Sequence, residues 1–489
     1  MTPDYAGLFR ALLPETALVF GALVLLGLDL IVARRRSETA RAENAAWGGL
    51  LTIVAAIVLT LRAGPSPFVF GGVLVIDSLT VATRLGVLVL TGLTLLLLPR
   101  VVRLKSPAEY VAILLFATMG FTLMAAAQQL LLAFLALELA SLSLYILAGF
   151  DTSRPESAEA GLKYFLFGGI SAAFLLFGFS LIYGLTGSLD FGEIAPRLAN
   201  LELSPLLVVA LVMILVAFGF KSAAAPFHLW APDVYQGAPA SSAALIASAS
   251  KLAGFVLFAR LFSQGLAPVS GSVATSTGAA GWLPVVAVIS GVSLLLGNIG
   301  ALAQSNLRRL LAYSAIAHAG ALLLGVLAVG KAGFAPLFYY AATYGIATVG
   351  AFGVIAVVER TGGCQRLTDL AGLRQRSPLL AACLFVFVLS LAGIPPLAGF
   401  FGKFAVFAAA LRIGGIAGPA GWLTMLAIFM SAVALYYYLL ILKQALVAPA
   451  TAEAKPVTVP LTAAVALLVS AGLLVFLGLF PSLVLNLVR

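Results

Sequence analysis

Apolar runs long enough to cross a lipid bilayer recur along this entire chain. A membrane-spanning helix needs about 20 mostly apolar residues, and about 14 runs approach that length. They cover residues 15–33, 46–63, 77–98, 110–127, 129–150, 160–184, 205–230, 240–263, 283–303, 309–329, 335–358, 379–411, 421–443 and 460–487. Charged residues make up 9% of the chain, against about 25% in soluble domains. The sequence therefore predicts an all-α polytopic membrane protein with about 14 transmembrane helices.

The basic residues, which give the chain a formal net charge of +10, are unevenly distributed over the loops. Those that follow odd-numbered runs are Arg34, Arg35, Arg36, Arg41, Arg100, Arg103, Lys105, Arg308, Arg309, Arg360, Arg366, Arg374, Arg376, Lys443 and Lys455. Even-numbered runs are followed by few. Because basic residues concentrate in cytoplasmic loops, we expect these loops in the cytoplasm and both termini in the periplasm. The charge reflects membrane topology, and no nucleic-acid partner is expected.

Two runs combine a lysine with helix-breaking prolines. They contain FGFKSAAAPFHLWAP around Lys221 and LAGIPPLAGFFGKF around Lys403. Run twelve, residues 379–411, would extend well beyond a bilayer if it were one helix rising 1.5 Å per residue. Proline breaks a helix and frees backbone groups that need partners inside the protein. We therefore expect helices 7 and 12 to be discontinuous, as in transporters whose ion sites lie at such breaks.

The spacing of polar residues indicates an internal repeat. The interval from Lys221 to Lys403 nearly equals the interval from Glu138 to His318, and five runs separate each pair. Since five is odd, the second copy would be inverted in the membrane, which gives two inverted five-helix repeats. The predicted parts are three N-terminal helices (1–105), a first repeat of helices 4–8 (106–265), a second repeat of helices 9–13 (280–445) and a C-terminal helix (446–489).

Five ionisable residues lie deep in apolar runs: Glu138, Lys221, Lys251, His318 and Lys403. A charge at this depth costs about 2.5–3.5 kcal/mol on insertion scales, so it is rarely kept without a function. A buried lysine releases its proton more readily than one in water, and a nearby carboxylate reverses that effect. A Glu138–Lys221 pair that forms and separates would therefore switch Lys221 between holding and releasing a proton. The sequence predicts a proton relay; the alternative is structural lysines satisfied by carbonyls or by snorkelling.

Other polar residues have weaker indications of function. We expect Lys163 to snorkel, and His228 either to fix its loop or to admit protons, with Asp233 and Tyr235 equally open. Asp77 and Arg84 lie seven residues apart on one predicted helix face, which favours an ion pair between them. The Tyr436–Tyr438 cluster is expected to serve packing or the membrane interface.

The cysteine and histidine content gives no support for a bound cofactor. Cys364 and Cys383 lack ligand spacing, two histidines and one deep carboxylate make no metal site, and no glycine-rich dinucleotide fingerprint follows a strand. We expect the chain itself to bind neither cofactor nor metal.

Four segments resemble a known protein family. They are FKSAAAPFHLWAPDVYQGAPA, SASKLAGF, NLRRLLAYSAIAHAG and LSLAGIPPLAGFFGKF. They are similar to the antiporter-like membrane subunits of bacterial respiratory complex I, the proton-translocating NADH–quinone oxidoreductase. ESAEAGLKYFLFGGISAAFLLFGFSLIYGLTGSL resembles the subunit N branch in particular. The resemblance covers nearly the whole chain.

The resemblance implies a location, partners and residue roles. It implies a multi-pass subunit of the bacterial inner membrane, adjoining other membrane subunits of the complex, with NADH, FMN, iron–sulfur clusters and quinone in partner subunits. Glu138 and Lys221 would be the paired residues of helices 5 and 7, Lys251 the central lysine of helix 8, and Lys403 the outward residue of helix 12. The chain would be a proton-translocating subunit without a redox centre.

Two other functions remain compatible with these residues. The first is a subunit of a multi-subunit cation/proton antiporter or of a membrane-bound hydrogenase of the same fold. The second is a passive scaffold that holds partner subunits.

Overall fold

The computed structural model describes residues 5–31, 36–69, 72–99, 101, 104–275, 279–361, 365–450 and 455–488. Among the residues discussed above, Arg34, Arg35, Arg100, Arg103 and Cys364 lie outside these ranges.

Helices form nearly all of the described chain. In chain order they are α1 (Tyr5–Ala11), α2 (Leu13–Ile31), α3 (Glu38–Ala63), α4 (Ser78–Leu96), α5 (Pro107–Ala126), α6 (Leu130–Ala148), α7 (Pro155–Thr186), α8 (Phe191–Leu198), α9 (Pro205–Ser222), α10 (Trp230–Gly237), α11 (Ala240–Ala247), α12 (Ala249–Arg260), α13 (Trp282–Leu302), α14 (Leu307–Ala332), α15 (Ala335–Glu359), α16 (Leu373–Arg376), α17 (Pro378–Ala392), α18 (Ala398–Gly414), α19 (Pro419–Leu442), α20 (Leu461–Leu479) and α21 (Pro481–Leu487). Short 3₁₀ or π turns cover Leu261–Gly265, Ala267–Val269, Leu367–Leu370 and Lys443–Val447. Strands β1 (Ser66–Val69) and β2 (Leu74–Ile76) form one small antiparallel pair.

The predicted all-α membrane fold is confirmed. Within the described ranges, 13 helices are long and apolar enough to cross a membrane. The difference from the 14 predicted runs arises at run twelve, which is divided into α17 (15 residues) and α18 (17 residues). Neither half alone reaches the length of a full span.

Runs seven and twelve each stop in a left-handed residue. α9 ends at Ser222 and Ala223 has φ 56°, whereas α17 ends at Ala392 and Gly393 has φ 85°. In both cases the next amide donates back into the last turn, from Ala224 to the Gly219 carbonyl (2.8 Å) and from Ile394 to the Leu389 carbonyl (3.0 Å). This arrangement satisfies carbonyls that a helix end leaves free. Each break therefore has its own backbone hydrogen bonds inside the bundle.

Lys221 and Lys403 do not occupy equivalent places at the two breaks. When Ala223 is aligned with Gly393, Lys221 lies before its break, in the last turn of α9, and Lys403 lies after its break, in α18. In this alignment the residue opposite Lys403 is Asp233 of α10. The sequence comparison had matched the two lysines because it counted residues between like side chains and did not locate the breaks.

Run eight has a break that the sequence did not predict. Ser248 (φ −115°, ψ −84°) separates α11 from α12, and no proline or glycine adjoins it. Lys251 consequently lies in the first turn of α12. This places the lysine beside a local interruption of the helix.

Two tight helix pairs in the bundle are built alike. A methyl group on Gly120 of α5 would lie 2.6 Å from the Ala140 nitrogen of α6, and one on Gly297 of α13 would lie 2.4 Å from the Ala317 nitrogen of α14. Isolated β-bridges occur at corresponding places. Gln129, just before α6, pairs with Asp190, and Asn306, just before α14, pairs with Arg366. Aligning these features puts His318 opposite Ser141 and not opposite Glu138, nearly one helical turn from the match made on the sequence.

A methyl group at Gly297 is expected to prevent normal packing of α13 on α14. Because the new carbon meets backbone atoms of Ala317, the helices must separate, and overpacking of this kind costs about 1–3 kcal/mol or more. Gly297→Ala should reduce the amount of folded protein in membranes and lower its Tm. Gly169→Ala on α7, where nothing lies within 4 Å, is the matched control and should fold normally. Equal stability of the two variants would contradict this packing.

The predicted ion pair between Asp77 and Arg84 is wrong. Asp77 caps α4 and accepts two bonds from Arg260 of α12 at 2.9 Å, while Arg84 lies 2.9 Å from Glu15 of α2. Both pairs join different helices. Asp77 and Arg84 themselves do not meet, because side chains seven residues apart on a helix lie about two turns apart along its axis.

Candidate functional site

Lys221 is buried and bound to a neutral group. Its Nζ donates to the Ser141 hydroxyl of α6 at 3.2 Å. Glu138 lies one turn earlier on α6, and its charge attracts that of Lys221. No ion pair within 4 Å joins these two described residues, so the predicted Glu138–Lys221 contact is not made in this conformation.

Glu138 faces the edge of the bundle. It is partly exposed and shares its side of α6 with Leu135 and Leu142, which are 54% and 50% exposed. The other four members of the predicted relay are buried inside the protein. Glu138 is therefore the member best placed to meet a group from outside this chain.

Lys251 is held by a backbone carbonyl. Its Nζ donates to the Ala315 carbonyl of α14 at 2.6 Å. A cavity of about 10 Å³ lies between Lys251 and Lys221, and its other lining residues are Phe218, Ser222, Gly254, Phe255 and Phe258. A cavity of this size approaches the space that one water requires, but largely apolar walls offer that water few partners. The two lysines are neighbours across a mainly apolar gap.

Lys251 and His318 both contact the ring of Tyr344. Lys251 Nζ is 5.6 Å from the centre of this ring, within the range of a cation–π interaction. The His318 ring lies on the same tyrosine, with 4.7 Å between ring centres. Tyr344 of α15 thus connects the lysine of the first half to the histidine of the second.

His318 contacts two tyrosine hydroxyls. Its Nδ1 is 2.6 Å from the Tyr340 hydroxyl and its Nε2 is 3.1 Å from the Tyr438 hydroxyl, which also bonds to the Ser314 hydroxyl. A neutral imidazole donates at one ring nitrogen and accepts at the other. This arrangement allows a proton to arrive at one side of the ring and leave at the other.

Lys403 lies at the break of run twelve. Its Nζ donates to the Ala392 carbonyl at 3.0 Å, one of the carbonyls left free where α17 ends. Lys403, His318 and Tyr340 line one cavity of about 20 Å³, which has room for about one water. The structure thus brings Lys403 and His318 together, as it does Lys221 and Lys251.

Several polar residues of this site were missed by the sequence reasoning. Tyr437 and Tyr438 were expected to serve packing or the membrane interface. Both are buried, as packing requires, but both also make polar contacts: Tyr438 bonds to His318, and Tyr437 donates to the Asn298 amide oxygen at 3.0 Å. Only Tyr436 faces outward. The sequence feature that could have identified these residues is a hydroxyl or amide side chain deep in an apolar run. The same feature identifies Ser141, Ser314, Tyr340 and Tyr344.

A charged cluster holds α10 against its neighbours. Asp233 accepts from Lys163 of α7 and Arg309 of α14, each at 2.6 Å, and Lys163 also pairs with Glu159 at 2.6 Å. Partial burial raises the pKa of Asp233, but the two hydrogen-bonded cations outweigh burial and hold it below its usual range. Asp233 is therefore ionised near neutral pH. Lys163 forms ion pairs that the sequence did not predict, and its snorkelling stays a prediction.

His228 lies inside the break between α9 and α10. The side chain is mostly buried, and its Nδ1 has no hydrogen-bond partner among the described residues. The hydroxyl of buried Tyr235 in α10 is also without a partner there. These contacts leave both roles considered for His228 open.

The contacts of the three deep lysines suit the exchange of protons. The three deep lysines donate to a hydroxyl or to backbone carbonyls, so no carboxylate in direct contact fixes their protons. Across the described ranges, no three His, Cys, Asp or Glu side chains gather as a metal site would require. The order along the interior is Glu138, Lys221, Lys251, His318 and Lys403.

Comparisons with known proteins agree in family and fold. The family described as NADH:quinone oxidoreductase/Mrp antiporter, TM matches residues 127–435. The chain is 48% identical to NADH-quinone oxidoreductase subunit N 2 of Acidobacterium capsulatum over 99% of both chains. It is similar to a chain of respiratory complex I from Thermus thermophilus (35% identity, TM-score 0.80, 97% of this chain and 98% of that one). A chain of the Mrp complex from Dietzia sp. shares the fold at 23% identity, with a TM-score of 0.80 over 97% of this chain and 96% of that one.

Proposed function

We propose a proton route through this chain, which belongs to the NADH:quinone oxidoreductase/Mrp antiporter family of transmembrane subunits. The chain is a proton-translocating, non-redox membrane subunit of an NADH–quinone oxidoreductase. Its relatives favour this function over the antiporter or hydrogenase alternative. The route follows Glu138, Lys221, Lys251, His318 and Lys403.

One observation carries this proposal: the deep lysines have neutral acceptors in place of counter-ions. A buried ion pair would oppose loss of the proton, whereas a hydroxyl or carbonyl leaves a lysine free to exchange it. Lys221 and Lys251 adjoin one cavity, and His318 and Lys403 adjoin another. Tyr344 contacts one member of each pair, Lys251 and His318. These contacts support a continuous series of proton carriers.

Glu138 would control the first step from the surface of the chain. A carboxylate exposed to lipid is costly, so its partly exposed position supports contact with a neighbouring membrane subunit. A change at that contact would alter the attraction between Glu138 and Lys221, and with it the tendency of Lys221 to hold a proton. The energy must come from partner subunits, since moving one charge against the membrane potential costs about 2.3 kcal/mol per 100 mV.

The topology and the internal repeat belong to the same proposal. The basic loops support a cytoplasmic location for the ends that carry Arg308 and Arg309, with both termini in the periplasm of a bacterial inner-membrane protein. The glycine contacts and bridges support two copies, within 106–265 and 280–445, related by inversion. The N-terminal helices within residues 1–105 and the C-terminal segment 446–489 lie outside the two copies. NADH, FMN, iron–sulfur clusters and quinone would be bound by partner subunits.

Replacing Glu138 with glutamine tests the function. The amide keeps the shape of the side chain but carries no charge to act on Lys221, so we expect Glu138→Gln to lower the protons pumped per NADH oxidised by about threefold or more. The assembled complex is reconstituted in vesicles, and electron transfer and proton uptake are measured together. Glu138→Asp should retain most pumping because it keeps a carboxylate.

Glu202→Gln, at an exposed position outside the relay, is the matched control and should behave as wild type. Wild-type pumping per electron in Glu138→Gln would overturn the role of Glu138. Repeating the assay in sodium-free medium separates proton pumping from cation exchange, since only a cation/proton exchanger would then stop.

A further inference from the structure

The short helix α10 begins next to Lys221. Lys221 is in the last turn of α9, and the chain continues from there through the break into α10. The indole of Trp230, the first residue of α10, donates to the carbonyl of Phe220 at 3.1 Å, and the two rings lie 5.2 Å apart. Phe220 immediately precedes Lys221. The start of α10 is therefore packed against the turn that carries the lysine.

The other end of α10 adjoins a large cavity. Pro239 and Ala240, which follow α10, line a space of about 810 Å³ among the helix ends that carry the basic loops. Glu38 and Arg360 also line it and are exposed, so the cavity opens to the surface of the protein. On the proposed topology this surface faces the cytoplasm. Along the chain, α10 thus connects the cytoplasmic cavity to Lys221.

Four charged side chains hold α10 in place, and we name them the α10 clamp: Lys163, Asp233, Arg308 and Arg309. Asp233 of α10 accepts from Lys163 and from Arg309, each at 2.6 Å, and Arg309 also donates to the Gln236 side chain at 3.1 Å. Arg308 donates to the carbonyls of Gln236 (3.2 Å) and Ala238 (2.7 Å), which the end of a helix leaves free. Since Lys163 belongs to α7 and both arginines to α14, the clamp attaches α10 to both halves of the chain.

The ion pairs of the clamp are accessible to water. The side chains of Lys163, Asp233 and Arg309 are 37%, 30% and 30% exposed. Ion pairs exposed to this extent are individually weak, because water solvates the charges when they separate. The helix that they hold has only eight residues. Release of α10 therefore requires the loss of a few weak contacts.

The observed position of α10 leaves two polar groups unpaired. The Tyr235 hydroxyl is fully buried and the His228 imidazole mostly buried, and neither the hydroxyl nor Nδ1 has a partner among the described residues. A buried polar atom without a partner costs free energy that it regains on contact with water. Tyr235 also interacts electrostatically with Tyr344, whose ring contacts Lys251. The clamp thus favours the observed position, and the unpaired groups favour one that admits water.

We propose that α10 is a gate for proton uptake, which the α10 clamp closes and whose release lets water from the cytoplasmic cavity reach His228 and Tyr235. The observed conformation is the closed one. Protons enter through the open gate at the Lys221–Lys251 pair, so every pumped proton still passes Lys251. The gate rests on the proposed proton-pumping function.

α14 links the gate to the relay. It carries Arg308 and Arg309 of the clamp and, about two turns further along, Ala315, whose carbonyl accepts from Lys251 at 2.6 Å. A shift of α14 therefore changes the clamp and the contact of Lys251 together. This shared helix gives the gate a physical connection to the proton carrier that it supplies.

Loosening the clamp provides the first test. Ala231→Cys places a reporter at a fully buried position of α10, with the two native cysteines replaced by serine. A membrane-impermeant methanethiosulfonate is added to inverted vesicles, which expose the cytoplasmic face of the assembled complex. Asp233→Asn removes both ion pairs of α10 and should speed labelling by about fivefold or more, since local opening becomes more frequent. Glu159→Gln, which removes the other ion pair of Lys163 and leaves Asp233 in place, is the matched control and should not change the rate.

Tightening the clamp provides the second test. Gln236→Glu offers Arg309 a carboxylate in place of an amide, so it should slow labelling by about twofold or more. Opposite effects of Asp233→Asn and Gln236→Glu are expected of a gate, whereas a fixed structural contact would not be made tighter by an added charge. If Ala231→Cys prevents assembly, hydrogen–deuterium exchange of the α10 amides in the same variants replaces labelling, and the same order of rates is expected.

The labelling is measured without NADH, so it tests the gate separately from the pump. Equal rates in Asp233→Asn and Glu159→Gln, or faster labelling in Gln236→Glu, would overturn the gate. During turnover Asp233→Asn should pump about twofold fewer protons per NADH or less, because an open gate lets protons return to the cytoplasm. Normal pumping in Lys403→Met contradicts the relay itself, whereas lost pumping there combined with unchanged labelling in Asp233→Asn contradicts only the gate.

Discussion

Lys251→Met is expected to reduce proton pumping to below about a tenth of wild type, because it removes the carrier between the two halves of the relay. Methionine fills a similar volume in the buried site but carries no proton. A proton released by Lys221 would then find no amine next to Tyr344 and His318 to accept it. The measurement is proton uptake per NADH oxidised in vesicles containing the assembled complex.

Lys251→Arg separates proton transfer from a need for charge. Arginine can still donate to the Ala315 carbonyl, but it does not lose its proton in proteins, so this variant should also fail to pump. Lys331→Met, at an exposed residue near the end of α14, is the control and should pump normally. If Lys251→Arg pumped as wild type, Lys251 would be a fixed charge and not a carrier.

The overall fold could be predicted because its main determinant is local. Runs of apolar residues specify spans by length alone, and the proline pairs in runs seven and twelve coincide with breaks at Ala223 and Gly393. The break at Ser248 had no such marker. This break lies in a fully buried segment, where the backbone conformation depends on packing against other helices and cannot be predicted from a short stretch of sequence.

The site could be predicted only as a set of residues at similar depth. Depth along a run follows from counting, but the partner of each side chain depends on how the helices are rotated and packed. Lys221 therefore bonds to Ser141, one turn from the predicted Glu138. Tyr437 and Tyr436 are adjacent in the sequence, yet one is buried and the other exposed.

The residue matches within the proposed repeat could not be predicted from the sequence either. Matching like side chains paired Lys221 with Lys403, whereas the helix ends align Lys403 with Asp233. The two proposed copies both contain a helix break that ends in a left-handed residue, but the side chains at matched positions differ. Asp233 holds α10 through Lys163 and Arg309, while Lys403 faces a cavity.

Lys403→Met is the second change with a large expected effect. The variant removes the amine that shares a cavity with His318, so protons reaching the histidine would have no acceptor there. We expect pumping per electron to fall to below about a tenth of wild type, while the methionine side chain preserves packing in α18. Quinone reduction and proton uptake are measured on the same vesicles, so that loss of coupling is distinguished from loss of assembly.

Lys403→Glu provides the decisive comparison at this position. A carboxyl group can also bind and release a proton, so this variant should retain part of the pumping that Lys403→Met loses. The two substitutions remove the same bond to the Ala392 carbonyl when the glutamate is ionised, and they differ in the capacity to carry a proton. If both lost pumping equally, the bond to Ala392 would be what matters; if neither lost it, Lys403 would lie outside the relay. Partial activity in Lys403→Glu alone identifies residue 403 as a proton carrier.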